Sequence, residues 1–254
     1  MKVTFLGTGT SGGVPVIGCR CEVCTSTDPR DKRLRTSAMI EVDGKVIVID
    51  AGPDFRYQML RADVTRMDAL LITHGHRDHI GGLDDIRPFN YLLGQIVDLY
   101  CDQIGEEMIR QQYPYAFTDH DYAFAPRVNF HRVGYEPFIA AGIPVMPIEV
   151  MHYRLPVKGY RIKDFTYITD AKTVTDAEKE KMQGTKTLVI NALHHNDHIA
   201  HYTLTEALAV IEEIKPERAY LIHMSHQFGL HAVMEKKMPP NVKIAYDGLV
   251  IEVN

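Results

Sequence analysis

The densest group of candidate metal ligands in the sequence is the segment His74-Gly75-His76-Arg77-Asp78-His79. It supplies three imidazoles and one carboxylate, side-chain types that bind divalent zinc, manganese or iron. On an extended backbone His74 and His76 would point to the same side. Asp78 and His79 fall where a helix is predicted to begin, so they face another way and could bind a second ion. A solvated polar loop is the alternative interpretation, and the spacing favours a metal site.

Further candidate ligands stand at the ends of predicted strands. His152 ends PVMPIEVMH, Asp170 ends FTYITD and His223 ends RAYLIH. Each alone is weak, since a single histidine is more often a hydrogen-bonded structural residue. Together they would supply further imidazoles and a carboxylate able to bridge two ions. Asp50, which ends KVIVID, is either a turn residue or an acceptor that orients a ligand imidazole.

Three of the four cysteines lie close together, at Cys19, Cys21 and Cys24. A disulfide framework would need a dispersed, even set, so this spacing predicts a reduced, metal-binding cluster. Two alternatives stay open: three thiols without metal, and a redox pair formed by Cys21 and Cys24. Cys101 stands alone and is predicted to lie in the core.

A layered α/β domain is predicted to position these residues. Apolar runs predict strands, and the Asp43-Gly44 dipeptide predicts a tight hairpin turn between two of them. Capping patterns predict helices that begin after Thr175 and Thr203, and helical character also extends from Gly81 to about Leu93 and over Glu106–Gln112. The predicted strands are Val3–Leu6, Ala38–Val42, Lys45–Asp50, Ala69–Thr73, Ile96–Tyr100, Pro144–Val150, Phe165–Thr169, Leu188–Ala192 and Arg218–Ile222. Alternating strands and helices favour the α/β class.

Length and composition limit the possible functions. The chain has 254 residues, of which 45% are hydrophobic and 24% charged, and its formal charge is −5. We expect one domain over residues 1–254. The charge balance disfavours nucleic acid as a partner. The N-terminal apolar run is too short for a signal peptide and no apolar run reaches about 18 residues, so the sequence predicts a cytoplasmic protein without a membrane partner.

The order of these motifs resembles the metallo-β-lactamase superfamily. The resemblance is carried by VIDAG, THGHRDH, a strand-end histidine, a Thr-Asp pair and a later histidine, and it extends from Asp50 to His223. It implies a four-layer αββα sandwich with two divalent ions, zinc or manganese with iron as a further candidate, at one edge of the sheets. By this resemblance, His74, His76 and His152 bind one ion, Asp78, His79 and His223 bind the other, and Asp170 bridges them.

Both ends of the chain are similar to a narrower group, the cyclic phosphate phosphodiesterase (PhnP) family. The similar segments are GTGTSGGVPVIGCRCEVC, HMSHQF and YDGLVIEV. This resemblance implies one additional structural zinc, bound by Cys19, Cys21, Cys24 and His226. The residue types agree, because three thiolates and one imidazole complete a closed tetrahedral zinc site.

The resemblance also implies a reaction. Two divalent ions would lower the pKa of a bound water, and the resulting hydroxide would attack phosphorus. The substrate implied by the resemblance is a small cyclic phosphate on ribose. Asp78 is then a catalytic metal ligand and His201 the general acid that protonates the departing oxygen. His194, His195 and His198 either line the pocket or cover the loop. The arginines near the motifs that could bind a further phosphate are Arg33, Arg35 and Arg87.

Other functions on the same fold remain open at this stage. A tRNA-processing RNase Z would want a basic protruding arm, which the sequence lacks. A thioester hydrolase of the glyoxalase II type has no obvious need for the cysteine cluster, and a redox di-iron protein would carry a carboxylate in place of His76. A non-catalytic metal-binding protein, resembling pyrroloquinoline-quinone biosynthesis protein B, could dispense with several ligands that are present here. A homodimer is plausible by resemblance.

Overall fold

The first β-sheet contains the N-terminal strands together with the last strand of the chain. The protein is described here by a computed structural model that covers residues 1–117 and 124–253. The strands of this sheet are β1 (Lys2–Gly7), β2 (Ser37–Val42), β3 (Lys45–Ile49), β4 (Ala69–Leu71), β5 (Val97–Cys101), β6 (Val128–Arg132) and β15 (Val250–Glu252). Their order is β15-β1-β2-β3-β4-β5-β6. The β2–β3 hairpin closes through Asp43 and Gly44 at φ 49° and 74°, which confirms the predicted turn.

The second sheet is built from the later part of the chain. Its strands are β7 (Phe138–Ala140), β8 (Ile143–His152), β9 (Leu155–Ile162), β10 (Phe165–Tyr167), β11 (Thr173–Val174), β12 (Thr187–Asn191), β13 (Arg218–Ile222) and β14 (Val242–Ile244). The order is β11-β8-β9-β10-β12-β13-β14, with β7 paired to β8. Strands β10, β12, β13 and β14 run parallel, so their carboxyl ends share one edge of the sheet.

Short helices cover the outer faces of both sheets. The α-helices are α1 (Glu22–Thr25), α2 (Phe55–Arg61), α3 (Arg77–Ile80), α4 (Arg87–Leu93), α5 (Gln103–Gln112), α6 (Asp176–Met182), α7 (Leu204–Ile214) and α8 (His231–Met234). Single 3₁₀ turns lie at Pro29–Asp31, Leu83–Ile86, Pro114–Ala116, His226–Phe228 and Glu235–Lys237.

Three apolar layers hold these elements together. Alternate residues of each strand point to opposite faces, so Ile47 and Ile49 of β3 pack against the second sheet while Val48 packs against the helices on the other side. The layer between the sheets also contains Tyr160 and Ile222. The outermost layers lie between the first sheet and α2 to α5, and between the second sheet and α7. This is the predicted four-layer αββα sandwich.

The helix predicted from Gly81 to Leu93 is interrupted. The structure has a 3₁₀ turn over Leu83–Ile86 and begins α4 only at Arg87. Pro88 lies in the first turn of α4, where its missing N–H costs nothing. The segment therefore has the predicted helical character, but as two successive elements.

The two helices predicted from capping patterns are both present. The Thr203 hydroxyl accepts from the N–H of Glu206, whose carboxylate accepts from the N–H of Thr203, so α7 has a complete capping box. At α6 the Thr175 hydroxyl also caps the helix, but the Glu178 carboxylate accepts instead from the N–H of Glu149 on β8, at 2.8 Å. At α6 the second hydrogen bond of the capping box is therefore replaced by a contact between the helix and β8.

The helices are short relative to a lipid bilayer. The eleven residues of α7 form the longest helix among residues 1–117 and 124–253, whereas a bilayer core needs about 20. No helix in those ranges is long and apolar enough to cross a membrane.

The homodimer suggested by the family resemblance stays a prediction.

Candidate metal centre

The motif segment follows β4, which is fully buried. His76 keeps an extended conformation (φ −65°, ψ 148°) at the N-cap of α3, and Asp78 and His79 occupy the first turn of that helix. A side chain on Gly75 would meet the Met108 Sδ atom at 2.6 Å, so only glycine lets the segment pass close to α5. The backbone changes from extended to helical within the motif, yet the His74 and His79 rings remain 4.3 Å apart and share a candidate group with Asp170. The division of the motif between two ions stays a prediction.

The first group of imidazoles converges as predicted. The ring centroids of His74 and His76 are 4.6 Å apart, and His152, at the end of β8, lies 5.2 Å from His76 and 5.9 Å from His74. His152 Nδ1 donates to the carbonyl of Ala200 at 2.9 Å. Since a carbonyl only accepts, this hydrogen bond leaves the Nε2 lone pair of His152 available for a metal.

The second group surrounds His79. Its Nε2 atom lies 3.2 Å from a carboxylate oxygen of Asp78 and 3.2 Å from one of Asp170. His223, at the end of β13, stacks at 6.0 Å on the His79 ring and places Nδ1 3.2 Å from Asp170. His74, His79, His152, Asp78 and His223 therefore each belong to a candidate group that contains the Asp170 carboxylate, whereas His76 contacts the rings of His74 and His152.

Asp50 orients the His79 ring through its Nδ1 atom. Its Oδ2 atom is 2.7 Å from His79 Nδ1, and both side chains are buried. The same carboxylate accepts from the N–H of Thr73 at 2.8 Å and from the Thr73 hydroxyl at 2.9 Å. With Nδ1 engaged, His79 can turn only Nε2 toward a metal. The structure thus places Asp50 where the sequence analysis expected an orienting acceptor.

The buried carboxylates of the site change the pKa values of the histidines around them. Burial alone would lower the pKa of His79, but the carboxylates of Asp170, Asp50 and Asp78 together raise this pKa well above its usual value. Burial has the opposite result at His74, where it lowers the pKa well below its ordinary value and keeps the imidazole neutral. A neutral imidazole beside a surplus of carboxylates is the state that metal binding requires.

Buried nitrogen atoms without partners provide a direct test of whether metal ions fit. Within the described ranges, His74 Nε2 is buried and has no hydrogen-bond partner, and His79 Nε2 is buried without a well-aligned hydrogen bond although two carboxylate oxygens lie 3.2 Å from it. Leaving such atoms unsatisfied costs about 1–3 kcal/mol each. Candidate ligand atoms within 4.8 Å of one another form three groups: His74, His79 and Asp170; His152, Asp170 and His201; and Asp78, Asp170 and His223. Because every group shares Asp170, the residues present fit a centre in which this carboxylate is common to more than one ion.

Three of the nine non-glycine residues with positive φ in the described ranges lie at this centre. They are Asp50, Asp170 and His223, which follow β3, β10 and β13 at φ 65°, 53° and 59°. Aspartate and histidine adopt this left-handed conformation more often than most other residues with a Cβ. Such conformations recur at functional sites, and these three lie at one edge of the sheets.

The histidine-rich segment after β12 contributes one residue to the centre. The His201 ring lies 4.5 Å from His152 and 4.8 Å from His223, and its Nδ1 is 3.7 Å from an Asp170 oxygen. Burial, reinforced by His223, lowers the pKa of His201 to about 3. His201 is therefore adjacent to the candidate metal ligands, as predicted.

The other histidines of this segment divide as the two open interpretations allowed. His195 Nε2 lies 2.9 Å from the carbonyl of Phe228 and its ring stacks on Phe228, so it covers the loop. His198 lies 5.0 Å from the His201 ring and accepts from the N–H of Ala200, while His194 is buried 5.8 Å from His198. From His201, the rings of His198 and then His194 therefore lie in succession next to the candidate metal centre.

A second candidate metal site joins the N-terminal loop to the segment after β13. Cys19 Sγ and Cys21 Sγ lie 3.3 and 3.4 Å from His226 Nδ1, and Cys24 completes a group whose ligand atoms are within 4.8 Å of one another. The N–H of Cys24 and the neighbouring His226 lower the pKa of Cys21 to about 6, whereas burial raises the pKa of Cys24 to about 11. Cys101 is buried in the core as predicted.

The arginines considered as possible phosphate ligands have other partners. Arg33 is buried and donates to the Thr8 hydroxyl and to the carbonyl of Ala245. Arg35 pairs with Asp54, and Arg87 pairs with Asp84. The sequence left open which arginine binds a phosphate, and the buried position of Arg33 disfavours that residue.

Sequence reasoning missed several contacts around the centre. Thr10 and Thr36 place hydroxyl oxygens 3.2 Å from the two ring nitrogens of His223. Their positions in the loop after β1 and just before β2 carry no local signal for this role. It also missed Tyr153 and Arg154, which line an open cavity of about 430 Å³ together with His76 and His152. Cavities of about 530 and 620 Å³ along α2 contain none of the predicted ligands.

Comparisons with known proteins identify the class. The family described as "Beta-lactamase superfamily domain" matches residues 45–224. A crystal structure described as a new diphosphatase from the PhnP family is 38% identical, with a TM-score of 0.93, over 100% of this chain and 98% of that chain. The chain belongs to the metallo-β-lactamase superfamily and has the hydrolase fold of that class. Within the superfamily, it falls with the PhnP family.

Two further relatives carry other names. "Octanoyltransferase" of Porphyromonas gingivalis is 40% identical over 252 residues, which are 98% of this chain but 51% of that protein. This chain therefore spans about half the length of that relative. The zinc-bound PqqB structure from Methylobacterium extorquens covers 100% of both chains with a TM-score of 0.82 at 20% identity, and so shows the shared fold.

Proposed function

We propose that this protein is a metal-dependent phosphodiesterase that opens a cyclic phosphate on ribose. The observation that supports the proposal best is the convergence of candidate ligands on Asp170, together with a His74 Nε2 atom that is buried and has no hydrogen-bond partner. The 38% identity to a PhnP-family diphosphatase over the whole chain favours phosphorus as the reacting centre.

In this proposal the ligands divide between two ions, either zinc or manganese. His74, His76 and His152 hold one ion, Asp78, His79 and His223 hold the other, and Asp170 belongs to both. When bound, two divalent ions supply positive charge at the phosphoryl oxygens and lower the pKa of a nearby water. Asp50 keeps His79 in the orientation that exposes Nε2.

His201 is the proposed general acid. It lies beside His152, His223 and Asp170, and so next to any phosphate bound at the centre. An anionic phosphate beside the ring would favour the protonated imidazole against the effect of burial. As a water oxygen bonds to phosphorus and its proton is released to solvent, His201 passes its own proton to the ribose oxygen whose bond to phosphorus breaks, which leaves a phosphomonoester.

The cysteine cluster is proposed to hold a structural zinc. Cys19, Cys21, Cys24 and His226 supply four donors, and a tetrahedral site filled by protein ligands has no open position for substrate. His226 is three residues after His223, so this zinc would fix the loop that carries a metal-centre ligand.

The decisive experiment follows phosphorus by NMR. Metal-loaded protein is incubated with 5-phosphoribosyl 1,2-cyclic phosphate, and we expect the cyclic resonance to disappear as a phosphomonoester resonance grows. Bis(p-nitrophenyl) phosphate serves as an activated diester control. If the cyclic resonance persists while the control is cleaved, the ribose substrate is wrong although the phosphodiesterase class stands.

Two competing substrates belong in the same assay. The diphosphatase relative favours a diphosphate-linked sugar as the second candidate, and its cleavage in preference to the cyclic phosphate would replace the proposed substrate. An octanoyl thioester represents the activity named for the longer relative. Rapid thioester hydrolysis without any cleavage of phosphorus esters would contradict the proposal.

A further inference from the structure

The cavity beside the metal centre has a wall that the proposed reaction does not use. It is the turn between β8 and β9, where His152 pairs with Leu155 across the two residues Tyr153 and Arg154. Both turn residues line the cavity together with His76 and His152. Two candidate ligands and the turn therefore face the same volume.

The conformation of the turn is unfavourable for the residue that it contains. Tyr153 has φ 56°, and two-residue hairpin turns place glycine, asparagine or aspartate where φ is positive. A large aromatic residue is uncommon in this conformation, which the structure also gives to Lys163 in the β9–β10 turn at φ 53°. Tyr153 is 51% exposed, so core packing does not account for it.

Arg154 provides the chemistry. Its guanidinium carbon lies 5.1 Å from the centroid of the Tyr153 ring, a stacking contact that orients its flat face. Within the described part of the chain, Arg154 has no ion-pair partner, whereas Lys172, Arg35 and Arg87 each pair with a carboxylate. An exposed, oriented and uncompensated guanidinium at the rim of the site is suited to bind a phosphate through two hydrogen bonds.

We propose that Arg154, positioned by Tyr153, binds the second, non-reacting phosphate of a doubly phosphorylated sugar substrate. This inference rests on the proposed phosphodiesterase function and adds a determinant of substrate specificity. The metal centre acts on the cyclic phosphate, and the β8–β9 turn selects substrates that carry another phosphate on the same sugar. Arg154 is on the turn immediately after a candidate ligand, so the two phosphates would be recognised by one short segment.

The test compares two substrates that differ only in the second phosphate, ribose 1,2-cyclic phosphate and its 5-phosphate. We expect the unmodified protein to prefer the 5-phosphate. Arg154→Ala should lower the ratio of the two kcat/KM values by about 10- to 100-fold, the range expected for a hydrogen bond to a charged group. The loss should appear mainly in KM. Arg154→Lys, which keeps the charge without the planar fork, should restore part of the ratio.

Two further variants separate positioning from folding. Tyr153→Gly relieves the backbone strain and removes the stacking platform, so we expect an unchanged or higher melting temperature with a several-fold higher KM for the 5-phosphate. Arg66→Ala is the matched control, because Arg66 is an exposed arginine that precedes β4 while the ligands follow it. Its substrate ratio should equal that of the unmodified protein.

Each other result overturns the inference. If Arg154→Ala lowers kcat/KM equally for both substrates, Arg154 acts at the reacting phosphate or on the fold, and the assignment is wrong. If the unmodified protein does not distinguish the two substrates, the specificity role fails while the phosphodiesterase function stands. If metal-loaded protein cleaves neither of the two cyclic phosphates, the proposed function is wrong, and the inference about Arg154 fails with it.

Discussion

The two candidate metal sites are assembled in different ways. The Asp170 centre collects side chains from the ends of β3, β8, β10 and β13 and from the segment after β4, and its ligands are mostly buried. The cysteine site takes Cys19, Cys21 and Cys24 from one loop and adds only His226 from elsewhere. One site therefore depends on both sheets for its geometry, and the other ties two loops together.

This difference predicts separate consequences when each site is damaged. At the Asp170 centre the ligands follow strands of the sandwich, so the fold should position them without help from an ion. Removing a ligand there should cost chemistry and leave the fold. At the cysteine site the bound metal would join the N-terminal segment to the segment after β13, so its loss should cost stability.

The largest effect is expected from Asp170→Asn. The substitution keeps the shape of the side chain but removes the charge shared by all the candidate groups at the centre. We expect the variant to lose active-site metal and at least about 10³-fold in kcat/KM, because catalysis through two ions needs both. Metal content by mass spectrometry and turnover of bis(p-nitrophenyl) phosphate measure it. Full metal content with unchanged turnover would contradict the shared-carboxylate assignment.

His201→Ala sharpens the comparison within the metal centre by separating acid catalysis from metal binding. A departing ribose oxygen needs a proton, so we expect a loss of about 10²-fold or more with the cyclic phosphate. A nitrophenolate leaves without protonation and should be much less affected. The ratio of the two rate losses is the measurement, with metal content as the control. Equal losses on both substrates would exclude the general-acid role.

Asp50→Asn tests the support beneath the metal centre. An amide in place of the carboxylate weakens the 2.7 Å contact that orients His79. We expect about a 10- to 100-fold loss in metal affinity or activity, the usual range for a residue that orients a ligand. Titration of metal-free protein with zinc, followed by activity, gives both values. An unchanged affinity would mean that Thr73 and the helix α3 suffice to orient His79.

Local sequence patterns predicted the residues of both sites better than their surroundings. The motif from His74 to His79 and the strand-end residues His152, Asp170 and His223 could be identified because strand ends leave a recognisable mark in hydrophobic periodicity. The two capped helices α6 and α7 were found for a similar reason, since caps are local.

What could not be predicted depends on contacts distant in sequence. The pairing of β15 with β1 joins segments from opposite ends of the chain, and no local pattern specifies such partners. Strand β9 was not predicted either, although it pairs with its sequence neighbours β8 and β10. The positive φ of Asp50, Asp170 and His223 has no local sequence signal that could have predicted it. The role of Arg33 could not be decided from the sequence, because proximity to the motifs does not reveal burial.

Cys21→Ser tests whether damage to the cysteine site lowers stability rather than activity. Removing one thiolate should lower the zinc content by one ion and the melting temperature by several degrees, because metal binding is coupled to folding. We expect turnover per remaining active-site metal to fall only a few-fold, in contrast to Asp170→Asn. Calorimetry and metal analysis are the measurements. An unchanged melting temperature would argue against a structural zinc.

The smallest effect is a difference in reactivity between two thiols of the same site. In metal-free protein the pKa of Cys21 is lowered to about 6 by the N–H of Cys24 and by His226, while burial raises that of Cys24 to about 11. At pH 7 Cys21 is therefore mostly thiolate, the nucleophilic form, and Cys24 is mostly thiol. Iodoacetamide followed by peptide mass spectrometry should modify Cys21 first, at a rate that falls as the pH drops through 6. Bound zinc should protect both residues, and equal rates at Cys21 and Cys24 would show that the cluster is not organised before the metal binds.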